Sequence, residues 1–244
     1  MTAALRLSVI IPAFNEARRI EHTLAVVRAA LPALVPTWEI RVVDDGSSDD
    51  TAARVERIAA VDVGVVLQRE PHRGKGAAVR AGMLAAQGDL RFMCDADLSM
   101  PLSELPRFLA AVPERADIAI GSREGSGAAR IDEPAYRHYM GRMFNRIVQA
   151  GALAGIEDSQ CGFKMFSRQA AELVFPLVTI DGWAFDVEAL TVARRHGLRI
   201  LDMPVEWHYG ELSRVSVVGD SLRMLRDVLR IRLRAAQGRY DRGP

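Results

Sequence analysis

Cysteine is scarce, with two residues in 244. Cys94 and Cys161 are far apart, form no C-x-x-C pair and have no histidine at zinc spacing, so they read as reduced core thiols of a cytoplasmic protein. No charge of one sign dominates: 32 basic against 31 acidic residues leave a net charge of +1, which excludes a global field for nucleic acid or membrane and confines any charge signal to local patches. No run of about 18 apolar residues occurs, and Met1 to Leu7 offers no apolar stretch behind a basic one, so neither secretion nor a membrane span is expected. The first turn, Pro12-Ala13-Phe14-Asn15-Glu16, contains no glycine, which removes the dinucleotide-binding fingerprint. Gly74-Lys75-Gly76 lacks the earlier glycine and the hydroxyl of a Walker A loop. It reads as a tight helix start, or as amides that attract an anion together with Arg73 and Lys75.

What is present is an alternation of strands and helices. At 49% hydrophobic and 26% charged, the chain has ordinary globular usage and the length for one large α/β domain. Leu7 to Pro12 is a β-branched run stopped by proline. Ile20, Leu24, Val27 and Leu31 recur at helical spacing, and Pro32 and Pro36 punctuate the exit. Trp38 to Val43 is a second strand running into Asp44-Asp45-Gly46-Ser47-Ser48-Asp49-Asp50, where Ser48 or Asp49 can cap a helix starting near Thr51. Val61 to Leu67 is expected as a third strand, Gly74 to Gln87 as a helix, Leu90 to Cys94 as a fourth strand, and Phe185 to Arg195 as a later helix. Strands separated by helices imply a mostly parallel, doubly wound sheet flanked by helices.

In such sheets ligands bind beyond the carboxyl ends of the strands, so the loops starting at Pro12, Asp44 and Asp95 should converge. The last follows the apolar run Phe92-Met93-Cys94 and reads Asp95-Ala96-Asp97. As strand residues, Asp95 and Asp97 would point the same way and repel unless a cation sits between them. Hard oxygen ligands suit Mg2+ or Mn2+, and one or two carboxylates plus substrate phosphates is a usual Mg2+ set, so a metal gripping a diphosphate is one reading. A strand-end turn, where Asp is common, is the other. Carboxylates repel phosphate directly but accept N–H groups from a base edge, on which Phe14 can stack.

Val9-Ile-Ile-Pro-Ala-Phe-Asn-Glu16, Val43-Asp-Asp-Gly-Ser47 and Asp95-Ala-Asp97, in that order and spacing, resemble the family-2 glycosyltransferases of GT-A fold. Ile120-Gly-Ser-Arg123, Asp158-Ser-Gln-Cys-Gly-Phe-Lys164, Trp183-Ala-Phe-Asp-Val-Glu188 and Ser221 to Arg232 extend the resemblance to the dolichyl-phosphate glucosyltransferase branch, close to the mannose synthases, over nearly the whole chain. It implies inverting, metal-assisted transfer of a hexose from a nucleotide sugar, UDP-glucose in the leading case and GDP-mannose as the alternative, to a polyprenyl phosphate. It also implies one GT-A domain, with residues 1–122 as the nucleotide-sugar half, 123–212 as the acceptor half and 213–244 as a helix and tail. Pro12, Ala13, Phe14, Glu16 and Asp45 are implied around the nucleotide, and Asp95, Ala96 and Asp97 at the diphosphate, with Asp95 and Asp97 as metal ligands. Arg123 and Arg137 are implied at the acceptor phosphate, Arg130 competing with Arg137, so that Asp97, Arg123 and Arg137 carry catalysis. Ser99 stands where the mannose synthases often place a glutamine as a further metal ligand. Eukaryotic members carry an N-terminal anchor that Met1 to Leu7 does not provide.

The chemistry fits a site with no obvious general base, because a lipid phosphate is already ionised near pH 7 and is itself the nucleophile. Catalysis then rests on in-line positioning and on charge stabilisation of the departing diphosphate. Two arginines suit the acceptor, since their planar forks bind phosphate bidentately and stay charged. Asp158, Asp186 and Glu188 either position sugar or serve structure. Asp186 and Glu188, two apart on a helix, should not share a face. From Val218 to Leu233, Val218, Leu222, Leu225, Leu229 and Leu233 form one face opposite Arg223, Arg226, Arg230 and Arg234. That helix either lies on an anionic membrane or packs on the sheet. The expected protein is cytoplasmic and peripheral to the membrane. Transfer to a soluble acceptor, a nucleotide-sugar binding module and a nucleotidyltransferase are the other readings, the last disfavoured by the absence of a glycine- and arginine-rich first loop.

Overall fold

β1 (Leu7–Ala13), LSVIIPA, is almost wholly buried, as a strand covered by helices on both faces must be. Then come β2 (Trp38–Asp45), β3 (Val65–Glu70), β4 (Leu90–Met93), β5 (Ile118–Ser122), β6 (Ala129–Ile131), β7 (Lys164–Ser167), β8 (Ile200–Pro204) and β9 (Glu206–His208). The helices are α1 (Ile20–Leu34), α2 (Thr51–Ala59), α3 (Lys75–Ala85), α4 (Leu105–Ala111), α5 (Arg168–Val174), α6 (Phe185–Arg195) and α7 (Gly219–Ala236). The computed structural model describes residues 7–132, 153, 155–209 and 219–241. Within them, a seven-stranded sheet has the order β3-β2-β1-β4-β7-β5-β8, and β6 pairs with β9 apart from it.

Side-chain alternation along β1 sends Ile10 to one core and Val9 and Ile11 to the other, the period of two expected of a strand. The core containing Ile10 also takes Val79 of α3, Val174 of α5, Leu190 of α6 and Val228 and Ile231 of α7. The core containing Val9 takes Leu24 of α1, Val55 of α2 and Phe108 of α4. The α1 stripe Ile20, Leu24, Val27 and Leu31 is fully buried, each side chain contributing roughly 1.5–3 kcal/mol on an extended-chain reference.

The main sheet is parallel except for β7, which runs antiparallel between β4 and β5. A strand running backwards begins at the edge where its neighbours end. Lys164, the first residue of β7, therefore lies opposite Met93, the last of β4, and the preceding segment is delivered to the same edge as the loops after β1, β2 and β4.

One expectation is corrected. The third strand runs over Val65–Glu70 rather than 61–67, and Val61 and Val63 are exposed. The Asp62 carboxylate accepts the Gly64 N–H at 2.9 Å, closing a turn that overrides the apolar pattern. In α7, Val228 and Ile231 enter the core, whereas Leu225, Leu229 and Leu233 are 38%, 52% and 63% exposed; the helix packs on the core by a face other than the leucine one. Val218 lies outside the described residues. No helix among those described is long and apolar enough to cross a membrane.

Candidate active site at the carboxyl edge of the sheet

The loops after β1 and β2 are fastened into one surface. Asn15 adopts a left-handed φ of 52°, tolerated by asparagine, and its N–H donates to Ser47 Oγ at 2.8 Å. Its Oδ1 accepts the N–H groups of Ser48 and Asp49 at 2.7 and 3.2 Å, while the Glu16 N–H donates to Thr51 Oγ1 at 2.7 Å. Asp49 Oδ1 accepts the Thr51 N–H at 2.9 Å, but the N-cap of α2 is Asp50, without a side-chain cap, and not the expected Ser48 or Asp49. Pro12 is half-buried, Ala13 is buried, and the Glu16 carboxylate pairs with Arg19 at 2.6 Å.

Asp45 is buried, and its carboxylate accepts the N–H groups of Arg73 at 2.9 Å and Gly74 at 3.0 Å, with His72 Nδ1 at 2.8 Å. The His72 ring stacks on Phe14, centroids 4.0 Å apart and planes 13° from parallel. One face of Phe14 is thus covered by the chain itself. The family resemblance implies Asp45 at the base edge, whereas the buried acceptor left over is its neighbour: Asp44 Oδ1 has no hydrogen-bond partner among the described residues. Adjacent acids in one motif gave no signal as to which was committed to the fold.

Asp95 and Asp97 are not strand residues sharing a pleat face, as expected from the sequence, because β4 stops at Met93 and both carboxylates lie beyond it. The Leu98 N–H turns back to the Asp95 carbonyl at 3.3 Å, Leu98 has a φ of 50°, and Asp97 Oδ1 accepts the Ser99 N–H at 3.0 Å. Asp97 is exposed. Ala96 is buried, its carbonyl accepting the Thr23 hydroxyl at 2.6 Å. Ser99 is buried too, its N–H on Asp97 and its carbonyl accepting the His208 N–H at 2.7 Å, so its backbone serves the turn. Asp95 is only partly exposed and pairs through Oδ1 with the Lys75 ammonium at 2.6 Å. Lys75 opens α3. The amides after it are not free for an anion, because Gly76 and Ala77 both donate to the Asp181 carbonyl, at 2.8 and 3.2 Å.

No group of three or more acidic, histidine or cysteine side chains able to hold a metal occurs among the described residues. The donor set here is instead two carboxylates, one already holding a cationic group. Hard oxygens in that number fit a divalent ion that completes its coordination with water and phosphate.

On the far side of β4, the Arg123 fork is bidentate on Asp158, with Nε to Oδ2 at 2.6 Å and Nη2 to Oδ1 at 2.9 Å. Burial alone would raise the Asp158 pKa, but the Arg123 charge and hydrogen bonds, helped by Lys164, hold it at about 2. Arg130 joins the cluster, donating to the Arg123 carbonyl at 3.0 Å and pairing with Glu124 at 2.7 Å. Arg137 lies outside the described residues. Asp186 pairs with buried Lys164 at 2.7 Å. Glu188, on another side of α6, accepts the N–H groups of Thr179 and Ile180 at 2.7 Å each and the Tyr240 hydroxyl at 2.7 Å. As expected, Asp186 and Glu188 do not share a partner, and Glu188 is a structural anchor for the chain after α7.

The sequence model of glycosyl transferase family 2 matches residues 8–175. Dolichyl-phosphate beta-glucosyltransferases of Saccharomyces cerevisiae and Homo sapiens are each 32% identical to this chain, over 96% of it and 76% and 77% of theirs. One from Trichomonas vaginalis is 35% identical over 91% of this chain and 69% of its own. Among solved structures, glucosyl-3-phosphoglycerate synthase from Mycobacterium tuberculosis, in complex with Mn2+, UDP-glucose and phosphoglyceric acid, has a TM-score of 0.68 at 19% identity. That match covers 97% of this chain and 80% of the other, and the likeness shows a common GT-A fold. The chain is a glycosyltransferase, and it belongs to glycosyl transferase family 2.

Proposed function

We propose that this chain transfers glucose from UDP-glucose, with inversion, to the phosphate of a polyprenyl lipid of the dolichyl class. The observation that carries the reading is that three dolichyl-phosphate beta-glucosyltransferases match more than nine-tenths of the chain at 32–35% identity. The chain acts as one domain: residues 1–122 hold the nucleotide sugar, 123–212 meet the acceptor, and 213–244 form the closing helix and tail. Pro12, Ala13, Phe14, Glu16 and Asp45 shape the nucleotide site. Phe14 lies beside the base, and Asp44 Oδ1 accepts an N–H from the base edge, since a buried acceptor without a partner is costly until one arrives. Asp95 and Asp97, with the Ala96 backbone between them, would hold Mg2+ or Mn2+, which supplies charge stabilisation to the departing diphosphate.

Arg123 and a second arginine, Arg137 or Arg130, orient the acceptor phosphate in line with the anomeric carbon. Half-buried Arg123 already carries one bidentate anion in Asp158, an arrangement that fixes the guanidinium before substrate enters. The chain works at the cytoplasmic face of a membrane, held peripherally. The outward leucines of α7 support that placement, and exposed Arg226, Arg230 and Arg232 add attraction to anionic headgroups.

The test is incubation of purified protein with radiolabelled UDP-glucose, GDP-mannose and other nucleotide sugars together with polyprenyl phosphate, following label into the organic phase. Transfer from UDP-glucose alone is expected. Transfer from GDP-mannose would reassign the donor, and label reaching only a water-soluble phosphorylated acceptor would overturn the lipid.

A further inference from the structure

A constrained cation at the sheet edge is the Lys75 ammonium. Its backbone cannot shift, because the residues on either side are pressed against the 180–182 segment. A Cβ on Gly74 would stand 2.6 Å from the Asp181 carbonyl oxygen, and one on Gly76 would stand 2.5 Å from that of Ile180. From this fixed base the ammonium reaches Asp95 Oδ1 at 2.6 Å, with the Trp183 ring centroid at 5.4 Å. Asp186 and Asp97 also act on it electrostatically. The other oxygen of Asp95, Oδ2, lies against Gly162, in the space that a Cβ there would fill. A cation that approaches Asp95 Oδ1 meets the oxygen that Lys75 already holds.

We propose that Lys75 is a resident counter-cation that competes with the divalent ion for Asp95, so that metal binds well only together with the nucleotide diphosphate. The inference rests on the glycosyltransferase reading of this site and adds an order of assembly to it. A metal ion arriving alone sets two positive centres against one carboxylate oxygen at close range, where like charges cost most. A metal ion arriving with a diphosphate brings enough negative charge to satisfy both itself and the displaced ammonium, which also keeps Asp186 and the Trp183 face as partners. Coupling of this kind is reciprocal: the diphosphate strengthens metal binding and the metal strengthens diphosphate binding by the same factor. Removing the ammonium should weaken that coupling in both directions.

The experiment measures Mn2+ binding by the loss of the free-ion paramagnetic resonance signal, with and without UDP, for the wild type, Lys75→Met, Lys75→Gln and Lys75→Arg. Melting temperatures establish which variants are folded, and the two neutral replacements provide independent chances of a folded one. The wild type should bind Mn2+ weakly alone and much more tightly with UDP. The neutral variants should bind Mn2+ alone about tenfold more tightly than the wild type and gain less from UDP, while Lys75→Arg should stay close to the wild type. Trp183 offers a second readout, since Mn2+ with UDP should change its fluorescence in the wild type and much less in Lys75→Met. Equal Mn2+ affinity in wild type and neutral variants, with UDP still tightening the wild type, would overturn the role of Lys75 and leave the metal site standing. Absence of Mn2+ binding to the wild type even with UDP would overturn both.

Discussion

A methyl group on Gly162 would stand 1.9 Å from Asp95 Oδ2 and 2.4 Å from its Cγ. The glycine immediately before Phe163 is thus the wall against which the carboxylate rests. Gly162→Ala should push Asp95 out of place, reducing Mn2+ affinity and turnover by at least about tenfold. The melting temperature should fall by only a few degrees, because the displaced group lies at the crevice. Titration of Mn2+ against the variant in the presence of UDP checks this, and wild-type affinity would show that Asp95 is not a metal ligand.

Asp97 separates charge from turn geometry. Its Oδ1 accepts the Ser99 N–H, a bond that asparagine can also accept with its amide oxygen. Asp97→Asn should therefore keep the melting temperature and lose transfer, whereas Asp97→Ala should lose transfer and also about 1 kcal/mol of stability with the bond. Near-normal turnover by a folded Asp97→Asn in Mg2+ or Mn2+ would remove Asp97 from the metal set.

The parts of the fold legible in the sequence were those written in local periodicity. The α1 stripe, the β1 run ending at the crevice, and α6 from Phe185 to Arg195 follow from residues within one turn or one pleat of each other. The convergence of the loops after β1, β2 and β4 followed from the parallel-sheet rule. What was not legible depends on long-range pairing. Nothing within Lys164–Ser167 signals that it inserts antiparallel between β4 and β5, yet that insertion brings Gly162 to Asp95 and Asp158 to Arg123. The leucine and arginine spacing of α7 leaves open whether its leucine face lies on a membrane or packs on the sheet. Periodicity identifies a stripe without saying what covers it, and Val228 with Ile231 make a second, shorter apolar face that the core selected.

Arg123 and Asp158 should respond differently to replacement. Arg123→Lys keeps the charge but loses the fork, so it should raise the apparent constant for lipid phosphate by roughly 1.5–3 kcal/mol, or about 10- to 150-fold, with little change in UDP-glucose binding. Asp158→Asn should lower stability near neutral pH by on the order of 3 kcal/mol, the low end for breaking a buried pair because Arg123 is partly exposed. The sign with pH follows from a folded pKa of about 2 against about 3.9 unfolded: the contribution is present above about pH 4 and is lost as pH falls toward 2. Denaturant melts from pH 7 to pH 2.5 should show the wild type and Asp158→Asn converging at the acid end. A constant gap would place the ion pair outside the stability of the fold.

Asp202 behaves in the opposite sense. Burial, with Asp158 and Glu157 nearby, raises its pKa to about 6, although its carboxylate accepts the Glu157 N–H at 2.8 Å. Its Oδ1 finds no partner among the described residues. Because the folded pKa exceeds the unfolded value, the charged form opposes folding; the cost grows from about pH 4 and is complete above about pH 6. Asp202→Asn should melt higher than the wild type at pH 8 and close to it at pH 4. A variant less stable at pH 8 would mean that the charge is compensated in solution.

The outward face of α7 makes the last prediction. Leu225, Leu229 and Leu233 lie at successive fourth positions on the exposed side, and successive fourth positions share one helix face. Exposed Arg226 and Arg230 follow Leu225 and Leu229 around the helix, with Arg232 on the other flank, the layout of a helix that inserts shallowly at a headgroup boundary. Replacing the three leucines with serine should abolish sedimentation with phosphatidylserine-containing vesicles while leaving Val228, Ile231 and the melting temperature undisturbed. Replacing Arg226, Arg230 and Arg232 with glutamine should weaken sedimentation by roughly 1 kcal/mol per arginine, and added salt should reproduce that loss, since surface charges are screened beyond about 8 Å at physiological ionic strength. Transfer to a short, water-soluble prenyl phosphate should survive both sets of changes, because Asp95, Asp97 and Arg123 are untouched. Unchanged vesicle binding after loss of all three leucines would show that α7 is not the surface by which the chain meets the lipid, and the peripheral placement would then need another part of the molecule.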